Sequence, residues 1–162
     1  MQKITPFLWF NKEAEEAANF YVSVFKNSKL GRILRYDEAS AQAAGGQVGC
    51  VLTVEFEIAG QKFTALNGGP EFKFNESISF VVNCDTQEEV DYFWASLVAD
   101  GGQESQCGWL KDKFGVSWQI TPGILIEMLL DKDQEKSGRA MKAMLQMQKI
   151  DINKLKEAYA GK

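Results

Sequence analysis

Histidine is absent from this chain of 162 residues. The side chain that most often binds zinc, and that most often acts as a general base near neutral pH, is therefore missing. This absence excludes metal sites and nucleophilic triads that are built on imidazole. An enzyme with this sequence would need a carboxylate, a cysteine or a lysine with a shifted pKa as its acid or base.

Cysteine is also scarce. The three cysteines, Cys50, Cys84 and Cys107, are odd in number and widely spaced, and they form no C-x-x-C pair. This pattern argues against a disulfide framework and against a zinc knuckle. We therefore expect reduced thiols.

The chain has no apolar run long enough to span a bilayer, and "MQKITPFLWFNKEAEE" lacks the apolar core of a signal peptide. A formal net charge of −4 comes from acidic and basic residues that are interspersed. Binding to nucleic acid or to anionic lipid requires a basic patch, so neither partner is expected. These features predict a soluble, cytoplasmic protein.

The first half of the chain predicts a strand, a helix and three more strands. "ITPFLWF" reads as a strand that ends at Asn11, a predicted N-cap for an alanine-rich helix. "RILRY" predicts a second strand, and "DEASAQAAGGQ" predicts a polar loop. Two further strands follow in "VGCVLTVEFEIAGQKFTALNGG", around a tight turn at residues 59–61.

The same order returns in the second half. "SISFVVNC" predicts a strand, a helix begins near Asp85, and Gly101 and Gly102 end it. "ESQCGWL" and "VSWQITP" predict strands around the turn "KDKFG". Laid over each other, "FLWFNKEAEEAANFY" and "FVVNCDTQEEVDYFW" match strand on strand, which indicates an internal duplication of a βαβββ unit. A helical tail is predicted from near Ile124.

The segments "PFLWF", "EAEEAANFY", "ALNGGPEFKFN", "CGWLKDKFGVSWQI" and "KIDINKLKEAY" extend over nearly the whole chain. Together they resemble the PhnB-like family, whose members are often named 3-demethylubiquinone-9 3-methyltransferase domain proteins. This family is part of the vicinal oxygen chelate superfamily of glyoxalase, bleomycin-resistance and dioxygenase proteins. The resemblance implies an α+β fold in which two tandem βαβββ modules form a half-barrel cleft, followed by a C-terminal helical tail. We expect one domain over 1–162, with module one at 1–69, module two at 75–122 and the tail at 123–162.

Metal-dependent members of the superfamily place His and Glu ligands on the first and last strands of each module. The matching positions here are Ile4 or Pro6, Thr64, Ser77 and Gln119, none of which supplies an imidazole or a carboxylate. We therefore expect no metal and no cofactor. Methyl transfer would need a glycine-rich turn from a strand into a helix, whereas "AAGGQVG" runs into a strand, so the family name does not predict the chemistry.

The stretch "QCGWLKDKFGVSWQITP" concentrates candidate residues. Asp112 and Gly115 suit a hairpin loop, in which the aspartate bonds the turn backbone and the glycine takes a positive φ. Trp109 and Trp118 fit a pocket wall or a core equally well. Cys107 is a possible nucleophile or an inert thiol, and no histidine is present to activate it.

Two residues of the first unit have similar alternatives. Trp9 belongs to the core or to the wall of a cleft. Asn67 is a turn residue before two glycines, or it reaches into the mouth of the cleft.

Two classes of function follow, together with a third and simpler reading. The first class is a metal-free protein that binds a small, partly aromatic molecule. The second is a metal-independent enzyme of unknown reaction, with Cys107, Lys111 and Asp112 as candidate catalytic groups. In the third reading, aromatic side chains fill the cleft and the protein acts through its dimer surface. A homodimer is predicted because the apolar tail over 124–145 exceeds what the core needs. The candidate ligand-binding residues are Trp9, Thr64, Asn67, Ser77, Trp109, Trp118 and Gln119.

Overall fold

The computed structural model describes residues 2–162, which form eight strands, six α-helices and one 3₁₀ turn. Two compact units divide these residues, and the boundary lies between Phe74 and Asn75. Each unit contains a four-stranded sheet. The predicted α+β class, the two tandem modules and the helical tail are confirmed.

Module one contains four strands and two helices. Its sheet has the order β1-β4-β3-β2, in which β1 runs parallel to β4 and the other neighbours are antiparallel. The hairpin of β3 and β4 turns at Ala59 and Gly60, both with positive φ, as in the two-residue turns that match strand twist. The elements are β1 Phe7–Phe10, α1 Ala14–Val24, β2 Lys29–Arg35, α2 Glu38–Ala44, β3 Val51–Ile58 and β4 Gln61–Asn67.

Helix α1 covers one face of this sheet. Side chains alternate across a strand, so every second residue of β3 and β4 faces the helix. Tyr21 stacks on Phe56, which in turn stacks on Phe63, with ring centroids 5.8 and 5.2 Å apart. The opposite face carries Thr64 and Glu55, and we call it the open face.

The predicted polar loop after β2 is wrong in part, because it contains helix α2. The Asp37 side chain accepts a hydrogen bond from the Ser40 N–H, and the Ser40 hydroxyl receives one from the Asp37 N–H. This capping box starts a short alanine-rich helix, which ends at Gly45 in the left-handed conformation. Strand β2 also begins three residues earlier than predicted, at Lys29.

The predicted N-cap at Asn11 is wrong as well. Glu13 occupies the N-cap position of α1 and makes no side-chain cap bond. The cap comes from the end of the sheet instead, where Asn67 Oδ1 accepts a hydrogen bond from the Ala14 N–H at 2.8 Å. A residue 53 positions away in sequence therefore starts this helix.

Module two repeats the arrangement with the sheet order β5-β8-β7-β6. Helix α3 buries Val90, Trp94 and Leu97 on one face of the sheet. Its N-cap is Thr86 rather than Asp85, and the Thr86 hydroxyl accepts from the Glu89 N–H at 3.2 Å. The elements are β5 Ser79–Cys84, α3 Gln87–Val98, the 3₁₀ turn Ala99–Gly101, β6 Gln103–Glu104, β7 Trp109–Lys111 and β8 Ser117–Pro122.

The tail consists of α4 Gly123–Leu129, α5 Gln134–Met144 and α6 Ile152–Ala160. These helices enclose a core of Leu125, Met128, Ala140, Ile150 and Leu155.

The segment before α6 is fastened to module two. The N–H groups of Cys107 and Gly108 donate to the carbonyls of Met147 and Gln148, each at 2.7 Å. The amide of Gln87 bonds both the Ile150 carbonyl and the Ile152 N–H.

Candidate functional site

In module two, the face of the sheet away from α3 brings several predicted residues together, and we call it the open face of module two. Strand pairing places Trp109 opposite Gln119 and Lys111 opposite Ser117. Ser117 and Gln119 share one face of β8 because they are two positions apart. Trp109, Lys111 and Gln119 are half-buried. This face therefore combines one aromatic ring with amide, hydroxyl and ammonium groups.

A depression of about 500 Å³ lies at the outer edge of this face, over β6 and β7. Its volume falls within the range that holds small organic ligands. We call it the β7 pocket. It brings Cys107, Trp109 and Lys111 together, as predicted site residues, and leaves the others outside. Its lining consists of Glu76, Gln103, Glu104, Ser105, Gln106, Cys107, Trp109, Leu110, Lys111 and Ser117.

Trp109 differs from the other three tryptophans in what its indole N–H does. Trp9 donates to the Gly69 carbonyl at 2.9 Å, Trp94 to Glu104 at 2.8 Å, and Trp118 to Asp112 at 2.9 Å. Within residues 2–162, the Trp109 indole N–H donates to no protein acceptor. Trp109 is thus the one tryptophan whose N–H has no acceptor within residues 2–162, and it lines the pocket.

Gln119 lies beside Trp109 and is held from β5. Its Nε2 donates to the Ser79 hydroxyl at 2.8 Å. The prediction of Ser77 on this strand is wrong, because β5 begins at Ser79 and Ser77 bonds Asn75 in the preceding loop. Both serines have the alternation that suits the open face, but the sequence did not fix the residue at which the strand begins.

Lys111 forms an ion pair at the rim of the pocket. Its Nζ lies 2.5 Å from Glu76 Oε1. The hydrogen bond from Lys111 lowers the pKa of the Glu76 carboxyl below its ordinary value. Sequence reasoning missed Glu76, since nothing in the sequence signals which carboxylate meets this lysine.

Trp118 and Asp112 lie in the core. Trp118 is 3% exposed and Asp112 is 3% exposed. Asp112 accepts from the N–H groups of Phe114 and Val116 as well as from Trp118. The predicted turn is confirmed, because Gly115 has a φ of +87° and Asp112 bonds the turn backbone. Asp112 is therefore committed to structure.

Cys107 occupies a left-handed conformation with a φ of +59°, which is uncommon for a residue with a side chain. The Met147 carbonyl accepts a hydrogen bond from its N–H, and the half-buried residue lines the β7 pocket. Cys84 is different, because burial raises the pKa of its thiol to about 12. Cys50 is exposed.

The predicted residues of module one belong to the first compact unit and are not among the residues that line this pocket. Asn67 joins several parts of module one. Its side-chain oxygen caps α1, and its side-chain NH₂ donates to the Val51 carbonyl. Its backbone carbonyl accepts a hydrogen bond from the Tyr36 hydroxyl. Trp9 packs edge-on against Phe72 at 5.0 Å. Thr64 lines a depression of about 380 Å³ on the open face, where Glu55 pairs with Arg32.

The positions that match metal ligands do not fit a metal. Thr64 supplies a hydroxyl, and Gln119 supplies an amide that is bonded to Ser79. Across residues 2–162, no three His, Cys, Asp or Glu side chains meet in a geometry that could hold a metal ion. Neutral amides and hydroxyls are poor ligands for first-row divalent ions.

The glycine-rich segment also differs from a nucleotide-binding turn. Gly45 ends helix α2 and the chain then leads into β3, so the order is helix to strand. A dinucleotide-type phosphate site needs the opposite order, with the helix N-terminus after the glycines. No helix in the described part of the chain is both long and apolar enough to span a bilayer.

Comparison with known families places the fold. A family model described as 3-demethylubiquinone-9 3-methyltransferase matches residues 2–121. No curated protein matches the chain.

Several solved structures are similar. The PhnB protein of Bacillus cereus, which carries the same methyltransferase name, is 39% identical with a TM-score of 0.66; the match covers 75% of this chain and all of that one. A protein from Pseudomonas aeruginosa is 18% identical with a TM-score of 0.57, over 75% of this chain and 98% of that one. A fosfomycin resistance protein from Listeria monocytogenes is 17% identical with a TM-score of 0.54, over 80% of this chain and 98% of that one.

Proposed function

The chain belongs to the 3-demethylubiquinone-9 3-methyltransferase (PhnB-like) family of the vicinal oxygen chelate superfamily, and from this premise we propose that it binds a small, partly aromatic molecule without a metal. The binding site is the β7 pocket together with the adjoining open face of module two. Trp109 forms the wall, and the half-buried Gln119 supplies a neutral hydrogen-bonding group.

The state of the Trp109 indole carries this proposal. Three of the four tryptophans satisfy their N–H inside the fold, whereas the half-buried Trp109 lines a pocket and its N–H has no protein acceptor within residues 2–162. An aromatic ligand with an oxygen acceptor would stack on the ring and accept this hydrogen bond. The neutral groups at the matching metal positions support a site that works without a metal.

The proposal is tested by ligand-observed NMR against a library of small aromatic compounds that carry an oxygen acceptor. Compounds that bind are then titrated against Trp109→Phe, which keeps a ring but removes the N–H. We expect the variant to bind more weakly by roughly 1 to 2 kcal/mol, because the acceptor loses its partner. Gln119→Ala should lose roughly 1 to 3 kcal/mol for a ligand that the amide anchors.

Trp9→Phe is the matched control. It removes an indole N–H in module one, where that group bonds the Gly69 carbonyl, and it should leave affinity unchanged. Equal affinity of wild type and Trp109→Phe for every compound would contradict the assignment of this wall.

Catalysis is the second candidate function, and one observation favours it. Cys107 and Lys111 line the same pocket, so a substrate bound there would meet both a thiol and an ammonium group. Asp112 drops out of the predicted catalytic set because three N–H donors occupy it. If the site only binds, Cys107→Ser should leave ligand affinity unchanged and no bound compound should be converted, as followed by mass spectrometry.

A two-fold homodimer and a cytoplasmic location complete the proposal. Leu130 and Leu145 of the tail are 77% and 54% exposed, which supports a contribution of the tail to a dimer contact. Light scattering at micromolar concentration should give twice the monomer mass of 18.1 kDa. A monomer mass would contradict the dimer.

A further inference from the structure

The wall of the β7 pocket includes a short backbone segment in an uncommon conformation. Gln106, Cys107 and Trp109 line the pocket. The two residues between Gln106 and Trp109 both have a positive φ, which is +59° at Cys107 and +82° at Gly108. A residue with a side chain keeps a left-handed backbone only where its surroundings hold it there. The contacts of this segment therefore decide the shape of this part of the wall.

The tail supplies two of these contacts. The N–H groups of Cys107 and Gly108 donate to the carbonyls of Met147 and Gln148, each at 2.7 Å. We call residues 147–150 the tail segment. It lies beyond residue 121, where the match to the family model ends. A part of the chain outside the matched region therefore holds a wall that belongs to that region.

The tail segment also packs closely on Gly108. A Cβ at this position would lie 3.2 Å from the Ile150 side chain and 2.8 Å from the Ile120 carbonyl oxygen. The space between the tail segment and β8 therefore requires a glycine. The Gly108 carbonyl accepts a hydrogen bond from the Ile120 N–H at 2.8 Å, and Ile150 is fully buried. The wall is thus fixed from two sides at this residue.

Gln87 fastens the tail segment to α3. Its Nε2 donates to the Ile150 carbonyl at 3.1 Å, and its Oε1 accepts from the Ile152 N–H at 2.8 Å. Two such bonds, to a carbonyl and to an N–H on either side of one residue, are the pattern by which parallel strands pair. Lys149 adds an ion pair with Asp91 of the same helix, at 2.5 Å. Because Gln87 is not among the residues that line the pocket, its effect on the pocket passes through the tail segment.

We propose that Gln87 is a positioning residue for the β7 pocket. It holds the tail segment against Cys107 and Gly108, and the tail segment keeps the wall in the conformation that binds the ligand. When the tail segment detaches, the wall loses this conformation and the pocket no longer binds. Ligand binding and attachment of the tail segment therefore stabilise each other. This inference rests on the proposed function and adds the element that regulates its site.

Amide hydrogen exchange followed by NMR tests the role of Gln87, because exchange reports local opening of the fold. Gln87→Met keeps the length of the side chain but removes the amide. In this variant the N–H groups of Cys107 and Gly108 should exchange about three- to tenfold faster than in wild type, since two hydrogen bonds of the tail segment are lost.

Two comparisons separate local opening from unfolding of the module. The Asp112 N–H bonds the Val116 carbonyl at 3.0 Å in the hairpin of β7 and β8, and it should remain protected during the time in which Cys107 and Gly108 exchange. Gln134→Met is the matched control, because Gln134 is an exposed glutamine that begins α5 as Gln87 begins α3. It should leave the exchange of all three N–H groups unchanged.

The link to binding is tested with 1-naphthalenemethanol as the probe. If only the attached state binds, a free probe concentration of about ten times Kd should slow the exchange of the Cys107 and Gly108 N–H groups about tenfold. The same probe concentration should slow this exchange less in Trp109→Phe, which binds the probe more weakly.

The outcomes separate the two proposals. If Cys107 and Gly108 exchange no faster in Gln87→Met, or exchange only together with Asp112, Gln87 does not position the wall. If the probe binds wild type more tightly than Trp109→Phe but leaves the exchange of Cys107 and Gly108 unchanged, the tail segment does not regulate the pocket and the proposed function stands. If the probe binds neither protein, or binds both alike, both proposals fail.

Discussion

The open faces of the two modules differ although their frameworks match. Module one fills its face with compensated charge, since Arg32 meets Glu55 at 2.6 Å and Lys29 meets Glu57 at 3.8 Å. Module two fills the equivalent face with a tryptophan, amides and hydroxyls, and confines its ion pair to the rim. The two modules thus share one arrangement of strands and helices but differ in the residues on the solvent-facing side of their sheets.

The difference supports the proposal that the ligand binds to module two. An ion pair on an exposed strand contributes little to stability, and its charged groups remain strongly hydrated. A half-buried indole with neutral neighbours loses less on contact with an organic ligand, because fewer charged groups must shed water. The two modules can be compared position by position, and each variant below has a counterpart in the other module.

The largest expected effect concerns the acidic residue that precedes each β-turn. Asp112→Ala should lower the free energy of unfolding by roughly 3 kcal/mol or more, because three N–H donors lose a buried, charged acceptor. Urea denaturation measures the loss.

The counterpart in module one is Glu57→Ala. Glu57 forms a long, partly exposed ion pair with Lys29, so this change should cost less than about 1 kcal/mol. Similar losses of unfolding free energy in the two variants would contradict the view that a buried carboxylate stabilises the hairpin in module two alone.

A smaller effect on stability distinguishes the N-cap of α1 in module one from the N-cap of α3 in module two. Asn67→Ala removes the cap of α1 and the bond to the Val51 carbonyl together, so we expect a loss of roughly 2 to 3 kcal/mol. Thr86→Ala removes only a local cap in module two and should cost about 1 kcal/mol. Thermal unfolding of both variants measures the difference, and a larger loss for Thr86→Ala would reverse the ranking.

The smallest effect is a pH dependence of the exposed ion pair. The hydrogen bond from Arg32 lowers the pKa of Glu55 below its ordinary value of 4.5. A lowered pKa in the folded state stabilises the protein above that ordinary value, and the contribution disappears as the pH falls through the lowered pKa. The difference in unfolding free energy between wild type and Arg32→Gln should therefore be small at pH 7 and should vanish once the pH has fallen below the lowered pKa of Glu55.

Lys111→Gln serves as the counterpart in module two. Lys111 lowers the pKa of Glu76 in the same direction, so this variant should show the same sign of pH dependence. If the difference in unfolding free energy between wild type and either variant grew as the pH fell, the stabilising role of that ion pair would be contradicted.

The sequence predicted the elements that rest on periodicity. Alternating apolar residues from Val51 to Ile58 and the turn at Ala59 and Gly60 required no knowledge of the other module. The Asp112 turn was likewise predictable, because an aspartate and a glycine at that spacing satisfy a short loop locally.

Contacts between residues far apart in the chain could not be predicted from the sequence. The cap of α1 comes from Asn67, far along the chain, and the local candidate Asn11 was the only one that a sequence pattern could offer. Within residues 2–162 no acceptor lies in reach of the Trp109 N–H, and the spacing of residues in the sequence could not predict this. Glu76 was missed for the same reason, since it meets Lys111 only in the folded protein.

The bonds of Gln87 have a consequence for the order in which the protein is made. Module one has all of its strands once Asn67 has left the ribosome, whereas Gln87 waits for partners 63 and 65 positions downstream. The first module can therefore acquire its native contacts during translation, while the second remains unfinished until the tail emerges. In a released chain truncated after Pro122, protease should thus spare module one and cleave module two.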